Sequence, residues 1–247
     1  MSNNLLKSGF SMRILAGFIV VVLIIGTGSC SKEQVTKVYS FTYSFRDSLS
    51  GWEGGFADHP ADTSTYNLHA SLDTLPYNIN TDSTKKAIRL SGTNRSDDLF
   101  MFIKRKLTRL RKNTTYQVLL NVKLASNAPT NATGSGGAPG ESVYVKVGAS
   151  TTEPQSLLVD GFYAMNIDKG YQLEGGENMQ VVGHVGVNDK TTSYTIITRF
   201  NSTTNPVIAT TNDAGELWII IGTDSGFEGT TTLYYTQVDV VLNQEGD

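Results

Sequence analysis

Short runs in which apolar and polar residues alternate dominate the chain beyond residue 37. Over Thr115–Ala125, every second residue from Tyr116 onward is apolar, and the positions between are mostly polar. A period of two is typical of a β-strand that packs one face against a core. The same alternation over Ser142–Gly148 predicts a strand whose valines point inward and whose Lys146 faces water.

Five further runs of similar length, rich in β-branched and aromatic residues, are bounded by Gly, Asn, Asp, Ser or Pro. No stretch of ten or more residues shows a helical period. We therefore predict an all-β fold, in which two antiparallel sheets pack as a β-sandwich, with a galactose-binding-like jelly roll as the preferred form. The longest segments without a strand pattern, predicted as loops, are Gly54–Asp82 and Ser126–Gly140. The five predicted strands are Leu99–Leu107, Gln180–Val187, Ser193–Phe200, Glu216–Gly222 and Thr232–Leu242.

The first 29 residues have the composition of a secretion signal. Lys7 and Arg13 precede an apolar run of 12 residues, Ile14–Ile25, and small residues follow it. This run is shorter than the roughly 20 residues that cross a bilayer as a helix. We therefore expect residues 1–29 to be removed on export.

The junction that follows resembles the lipobox of bacterial lipoproteins. Small residues end at Ser29, directly before Cys30, the only cysteine of the chain, although Thr27 stands where that family usually has leucine. The resemblance implies that Cys30 carries the lipid anchor and that residues 30–37 form a tether. Lys32-Glu33 resembles the surface-export signal of Bacteroidetes lipoproteins, which implies an outer-membrane protein of the cell envelope that faces outward. The alternative is an ordinary signal peptide that leaves a free thiol.

Net charge argues against one class of partner. Of the 20 basic side chains, two lie in the leader, which leaves 18 basic against 23 acidic side chains in the exported chain. Nucleic-acid binding needs a concentrated excess of Lys and Arg. We therefore expect no nucleic-acid partner.

A second set of residues resembles the turns and strand ends of galactose-binding-like sandwiches, which include many carbohydrate-binding modules. In that family the first and last strands often share a structural calcium ion, and the matching carboxylates here are Asp47 and Asp239. Calcium prefers such oxygen ligands. The alternative is that both are solvent-facing carboxylates. The resemblance rests on Phe45, Asp47, Gly51-Trp52, Asn113-Thr114-Thr115-Tyr116 and Asp239-Val240.

Four strings of residues also resemble a family of secreted bacterial lipoproteins with no assigned activity. That resemblance implies one integral domain over residues 38–247. The strings are Gly54-Gly55-Phe56-Ala57-Asp58, Ser96-Asp97-Asp98-Leu99-Phe100-Met101-Phe102, Leu124-Ala125-Ser126-Asn127-Ala128-Pro129 and Gly136-Gly137-Ala138-Pro139-Gly140-Glu141-Ser142.

Aromatic side chains outside the predicted core faces are the candidates for a sugar platform, because a ring can stack on the apolar face of a sugar. Core or turn packing is the alternative for each of them. Nearby polar side chains could bind the hydroxyl groups. The candidate ligand-binding residues are Trp52, Tyr163, Tyr171 and Phe227, with Asp168, Asn178 and Asp224 as polar partners.

Motifs for catalysis are weak in this sequence. It has no G-x-S-x-G elbow, and its glycine-rich stretch lacks the Lys-Ser/Thr ending of a phosphate-binding loop. We predict a lipid-anchored, non-enzymatic sandwich that binds a glycan. The alternatives are a structural or adhesive protein that binds another protein, and a polysaccharide-active hydrolase with two carboxylates, for which no residues can be assigned.

Overall fold

The computed structural model describes residues 37–188 and 193–245, all of which lie in strands, turns or irregular segments. No helix in these two ranges is long and apolar enough to cross a membrane. The predicted leader, Cys30 and the tether up to residue 36 lie outside the described residues, so these assignments stay predictions. The strands are β1 Val38–Ser44, β2 Glu53–Ala57, β3 His59–Pro60, β4 His69–Thr74, β5 Lys86–Thr93, β6 Leu99–Leu107, β7 Thr115–Ser126, β8 Val143–Ser150, β9 Ser156–Val159, β10 Phe162–Met165, β11 Met179–His184, β12 Thr195–Phe200, β13 Val207–Thr210, β14 Leu217–Ser225 and β15 Thr230–Gln244.

Two antiparallel sheets form the sandwich, as the sequence predicts. The seven-stranded sheet has the order β12-β7-β15-β5-β4, with β1 also paired to β15 and β13 to β7. The five-stranded sheet has the order β11-β8-β14-β6-β2. The all-β prediction is therefore confirmed.

The strand order is that of a jelly roll. Strand β5 pairs with β15, β6 with β14, β7 with β12 and β8 with β11, so the chain behaves as one long antiparallel hairpin that is rolled up. Rolling places consecutive strand pairs alternately in the two sheets. This is the double-sheet arrangement expected for a jelly roll.

The main core lies between the two sheets and follows the alternation of the sequence. In β7, Tyr116 and every second residue up to Leu124 are buried, and in β8 the inward residues are Val143, Val145 and Val147. These side chains pack against the inner faces of β14 and β15. Burial of this alternating set fixes which face of each strand points inward.

A third layer covers the outer face of the five-stranded sheet. It consists of the small sheet β3-β10-β9 and of residues 166–178, which we call the strap. Glycines in the sheet allow this approach: a Cβ at Gly148 would lie 2.2 Å from the carbonyl oxygen of Asn178 in the strap. Lys146 points away from the main core, as predicted, but the expectation that it meets water is wrong, because the strap buries it completely.

The prediction that residues 54–82 form a loop is wrong in part. This segment contains most of β2, all of β3 and all of β4, and β2 pairs with β6 at the edge of the five-stranded sheet. Its strand pattern is hidden by Gly54 and Gly55. The structure needs small residues there, because a Cβ at Gly55 would lie 2.4 Å from the ring of Phe102.

Candidate functional site

A row of four side chains crosses the outer face of the seven-stranded sheet. The register places Phe200 of β12 opposite Asn121 of β7, Asn121 opposite Asp239 of β15, and Asp239 opposite Thr42 of β1. Residues in register on adjacent strands point to the same face. The row therefore brings an aromatic ring, an amide, a carboxylate and a hydroxyl to one surface.

Asp239 is held in place by hydrogen bonds along this row. Thr42 Oγ1 donates to Oδ1 at 2.9 Å and Asn121 Nδ2 donates to Oδ2 at 3.0 Å. Gln237 Nε2 donates to both carboxylate oxygens, at 2.9 and 3.0 Å. Oδ1 of Asn121 is buried and has no hydrogen-bond partner among the described residues.

An open groove of about 370 Å³ lies over Phe200, Asn121 and Asp239 of this row. Leu119 and Val241 supply apolar walls, and Phe200 stands at one side with 62% of its surface exposed. Ligand sites are typically depressions of this size, lined mainly by apolar groups and a few placed polar ones. The groove therefore has the composition of a small-ligand or glycan site.

Asn201 fixes the end of the strand that carries Phe200. Its Oδ1 accepts from the amide of Leu120 at 2.6 Å, and its Nδ2 donates to the carbonyl of Val118 at 2.9 Å. Both partners belong to β7, the neighbouring strand. The buried side chain of Asn201 thus continues the pairing beyond the last residue of β12 and sets the position of Phe200 beside the groove.

The structure shows no contact between the two carboxylates proposed to share calcium, among the residues that it describes. The register places Thr42 opposite Asp239, and Asp47 lies five residues further along the chain, beyond the end of β1. In addition, N–H and O–H donors surround the carboxylate of Asp239, whereas a calcium ion needs acceptors. Calcium at Asp47 and Asp239 therefore stays a prediction.

Three of the aromatic ligand candidates are buried or half-buried against neighbouring groups. Trp52 is buried, and its ring packs edge-on against Tyr43 and Phe45, so it presents no face to a ligand. Phe227 is half-buried beneath the 134–137 loop. Tyr163 in β10 lies against the ring of His59, with ring centres 5.0 Å apart.

The remaining candidates meet at the strap. Asp168 accepts hydrogen bonds from the amides of Gly170 and Glu177, both at 2.9 Å, and these bonds lower the pKa of its carboxyl group. Asn178 Oδ1 accepts from the amide of Asp168 at 3.0 Å. Tyr171 is exposed beside them. These polar groups bind the backbone of the strap itself, which explains its defined shape.

Asp224, the last candidate, is fully buried beneath the strap in a network of charges. Its Oδ2 lies 2.8 Å from Nζ of Lys146 and 2.8 Å from Nζ of Lys169. Lys146 also donates to the carbonyl oxygens of Lys169 and Glu174, both at 2.9 Å. Burial opposes ionisation of Asp224, but the two lysines hold its pKa below the usual value. The network anchors the strap to the sheet and leaves Asp224 inaccessible to a ligand.

Two further carboxylates complete this network. Asp58 lies 2.8 Å from Nζ of Lys169, and Asp98 approaches Asp224. Carboxylate oxygens of Asp58, Asp98 and Asp224 lie within 4.8 Å of one another, but the ammonium groups of Lys146 and Lys169 already balance two of the three charges. Burial and the charge of Asp224 raise the pKa of Asp98 to about 8. One proton on Asp98 therefore makes the network neutral, which fits the geometry better than a metal ion does.

Because folded Asp98 holds a proton, we predict that the stability of the protein depends on pH. Unfolded Asp98 loses its proton near pH 4, whereas folded Asp98 keeps it up to about pH 8, so the folded state binds more protons between these values. The free energy of unfolding should therefore fall as pH rises from 5 to 8. We expect a fall of about 1–2 kcal/mol, which is smaller than the full pKa shift would give because solvent screens part of the interaction. Urea unfolding of Asp98→Asn, whose amide cannot ionise, should show a smaller fall. An identical pH dependence in both proteins would contradict the assignment.

Sequence reasoning missed Phe200 and Asn121 as site residues, and also Thr198, which lines the same groove. The alternation in the predicted strand Ser193–Phe200 already placed Phe200 and Thr198 on one face, and Asn121 lay on the predicted outer face of its strand. Restricting the aromatic candidates to loops and glycine neighbours excluded Phe200. The sequence also could not show that residues of β7 and β15 lie beside Phe200, because this depends on the strand pairing.

Neither a protein-family model nor a curated protein matches this sequence. Several solved structures show a weak similarity in backbone. The family 11 carbohydrate-binding module of the cellulosomal cellulase Lic26A-Cel5E from Clostridium thermocellum has 11% identity and a TM-score of 0.35 over 83% of this chain and 95% of that module. The module TmCBM61, solved with β-1,4-galactotriose, has 9% identity and a TM-score of 0.33 over 81% of this chain and 92% of the module.

A third similar structure is the K1 cleaved adhesin domain of Lys-gingipain from Porphyromonas gingivalis W83. It has 11% identity and a TM-score of 0.36 over 85% of this chain and 99% of that domain. Similarity at this level does not bear on the function of the present chain.

Proposed function

We propose that this protein is a non-catalytic glycan-binding sandwich and that its ligand lies in the groove beside Phe200. The observation that supports the proposal is the row Phe200-Asn121-Asp239-Thr42, which joins an exposed ring to fixed polar groups over an apolar surface. Sugars present both an apolar C–H face and hydroxyl groups, so they match a surface of this composition.

The groove favours binding over hydrolysis. Asp239 is the one carboxylate among the described residues that line it. Most glycosidases need a pair of carboxyl groups about 5–10 Å apart on either side of the bond that they cleave. Of the three other clustered carboxyl groups, Asp58 and Asp224 are paired with lysines and Asp98 is protonated. A single fixed carboxylate can orient a sugar but cannot serve as both acid and base.

Affinity electrophoresis of the full chain in gels that contain single polysaccharides tests this proposal. We expect retardation by at least one neutral or acidic polysaccharide and no release of reducing ends on prolonged incubation. Absence of retardation across a broad panel would contradict glycan binding, and steady release of reducing ends would instead favour the hydrolase alternative.

We further propose that Cys30 anchors this sandwich to the outer membrane, so that the groove faces the cell exterior. The support is the resemblance of the 26–30 junction to a lipobox. Two or three acyl chains bind a bilayer stably without a spanning helix.

The anchor predicts the outcome of one substitution. Cys30→Ser should abolish incorporation of labelled palmitate and move the protein from the membrane fraction to the soluble fraction, because the serine hydroxyl does not replace the thiol in lipidation. Ser29→Ala, which keeps a small residue before the cysteine, is the matched control. Equal membrane association of Cys30→Ser and the unmodified chain would contradict the anchor.

One observation favours the adhesive alternative. Leu157, Leu158 and Val159 of β9 and Phe162 of β10 are exposed on one hairpin. Clustered apolar side chains at a surface often contact another protein. The hairpin belongs to the third layer, away from the groove, so the two functions are separable by mutation.

A further inference from the structure

A second depression adjoins the groove at strand β12. Thr198 and Phe200 line both depressions, and the second, of about 350 Å³, also contacts His184 and Arg199. Strands β11 and β12 are edge strands of the two sheets, so this depression lies where the open side of the sandwich meets the groove. A ligand longer than one sugar unit can therefore pass the ring of Phe200 and occupy both.

The second depression differs from the groove in charge. Its described lining contains the guanidinium of Arg199 and no carboxylate. Arg199 donates to the carbonyl oxygens of His184 at 2.8 Å, Thr198 at 2.9 Å and Gly186 at 3.5 Å. Among the residues that the structure describes, these three bonds leave two of the five N–H groups of the guanidinium without an acceptor.

Arg199 also lacks a counter-ion among the residues that the structure describes. None of the ion pairs in residues 37–188 and 193–245 involves it. Burial lowers the pKa of its guanidinium, and no described carboxylate offsets that effect. A half-buried cation without an anion gains more from an anionic ligand than an exposed one does.

The backbone of β11 is shaped to admit this side chain. Gly183 has a φ of +125° within an irregularity of the β11-β8 pairing between Val181 and His184. A Cβ at Gly183 would lie 3.0 Å from Cδ and Nε of Arg199. His184 adds a donor, because its Nδ1 accepts from the amide of Gly186 at 3.1 Å, which leaves Nε2 to carry the proton.

We propose that the ligand is an acidic glycan, with a neutral unit at the groove and a carboxylate- or sulfate-bearing unit against Arg199 and His184. This inference rests on the proposed function of the groove and narrows its ligand class. The two depressions divide the recognition: the groove takes the neutral unit, and Arg199 binds the anionic substituent. Phe200 lies between them and contacts both units.

Titration calorimetry of the full chain with paired probes tests the inference. Polygalacturonate should bind at least about tenfold more tightly than its fully methyl-esterified form, because a charge-assisted hydrogen bond accounts for such a difference. Dextran sulfate against dextran distinguishes a sulfate ligand from a carboxylate ligand. Preference for either charged probe over its neutral counterpart supports the proposal, and raised salt should weaken that preference.

Three variants test whether Arg199 is the source of the preference for charged over neutral glycans. Arg199→Gln should reduce the ratio of charged to neutral affinity to about one, Arg199→Lys should restore part of it, and Arg109→Gln, at an exposed turn arginine, should leave it unchanged. Melting curves confirm that each variant is folded. Equal affinity of the unmodified protein for charged and neutral probes would overturn the acidic-glycan inference alone. Failure of every probe to bind would overturn the proposed function itself.

Discussion

Replacing Asp224 with alanine should lower the free energy of unfolding by about 3–5 kcal/mol, because it leaves the buried ammonium group of Lys146 without a carboxylate. Lys146 and Asp224 are both 0% exposed, and Nζ of Lys169 also lies 2.8 Å from Asp224. The loss should be read from urea unfolding at pH 7. Near-ultraviolet circular dichroism should show that the strap loses order before the sandwich does, since Asp224 also accepts from the amide of Gln172 at 3.0 Å.

Two further variants test whether the loss of stability at Asp224 comes from the buried network or is no larger than that of an ordinary surface ion pair. Asp73→Ala removes a carboxylate 3.7 Å from Arg89 at the surface and should cost less than about 1 kcal/mol. Adding Lys146→Met to Asp224→Ala should recover part of the loss, because one unpaired charge is removed. A loss at Asp224 no larger than that at Asp73 would show that the network does not hold the strap.

Replacing Phe200 with alanine should weaken glycan binding by roughly thirtyfold while leaving stability almost unchanged. An aromatic residue at the centre of a binding site typically contributes about 2 kcal/mol or more to affinity. Because Phe200 is 62% exposed, its replacement by alanine creates no cavity in the core. Titration calorimetry with a polysaccharide that retards the unmodified chain gives the affinity, and a melting curve gives the stability.

Tyr77→Ala is the matched control for this experiment. Tyr77 is 79% exposed and does not line the groove, so its loss removes an aromatic surface of similar size without touching the site. Affinity should be unchanged in this variant. If both substitutions weaken binding equally, or neither does, Phe200 is not the platform that the groove requires.

Several strand positions could be predicted from alternating or continuous apolar runs, although the alternating strand β1 was not. The predicted strand Leu99–Leu107 agrees with β6, and Thr115–Ala125 lies within β7. Strand β2 was missed because glycines at 54 and 55 replace the large residues that signal a strand. Packing against another strand requires these glycines, since a Cβ at Gly54 would lie 2.9 Å from Cβ of Ala70 in β4.

The site was harder to predict because its residues meet only through long-range pairing. Asp239 could be singled out, but its partner Thr42 is 197 residues distant, and the sequence does not specify that register. Local alternation correctly predicted that Lys146 points away from the main core. It could not show that a strap from a later part of the chain covers that face, which changes an expected solvent-exposed lysine into a buried ion-pair partner.

The most direct test of the central claim is a methyl chemical-shift titration of the full chain with oligosaccharides cut from a polysaccharide that binds. Leu119 and Val241 line the groove, whereas Leu157 and Leu158 lie on the exposed hairpin. Glycan binding beside Phe200 predicts large shifts for the groove methyl groups and none for the hairpin. Shifts confined to the hairpin, or no shifts at saturating ligand, would contradict it.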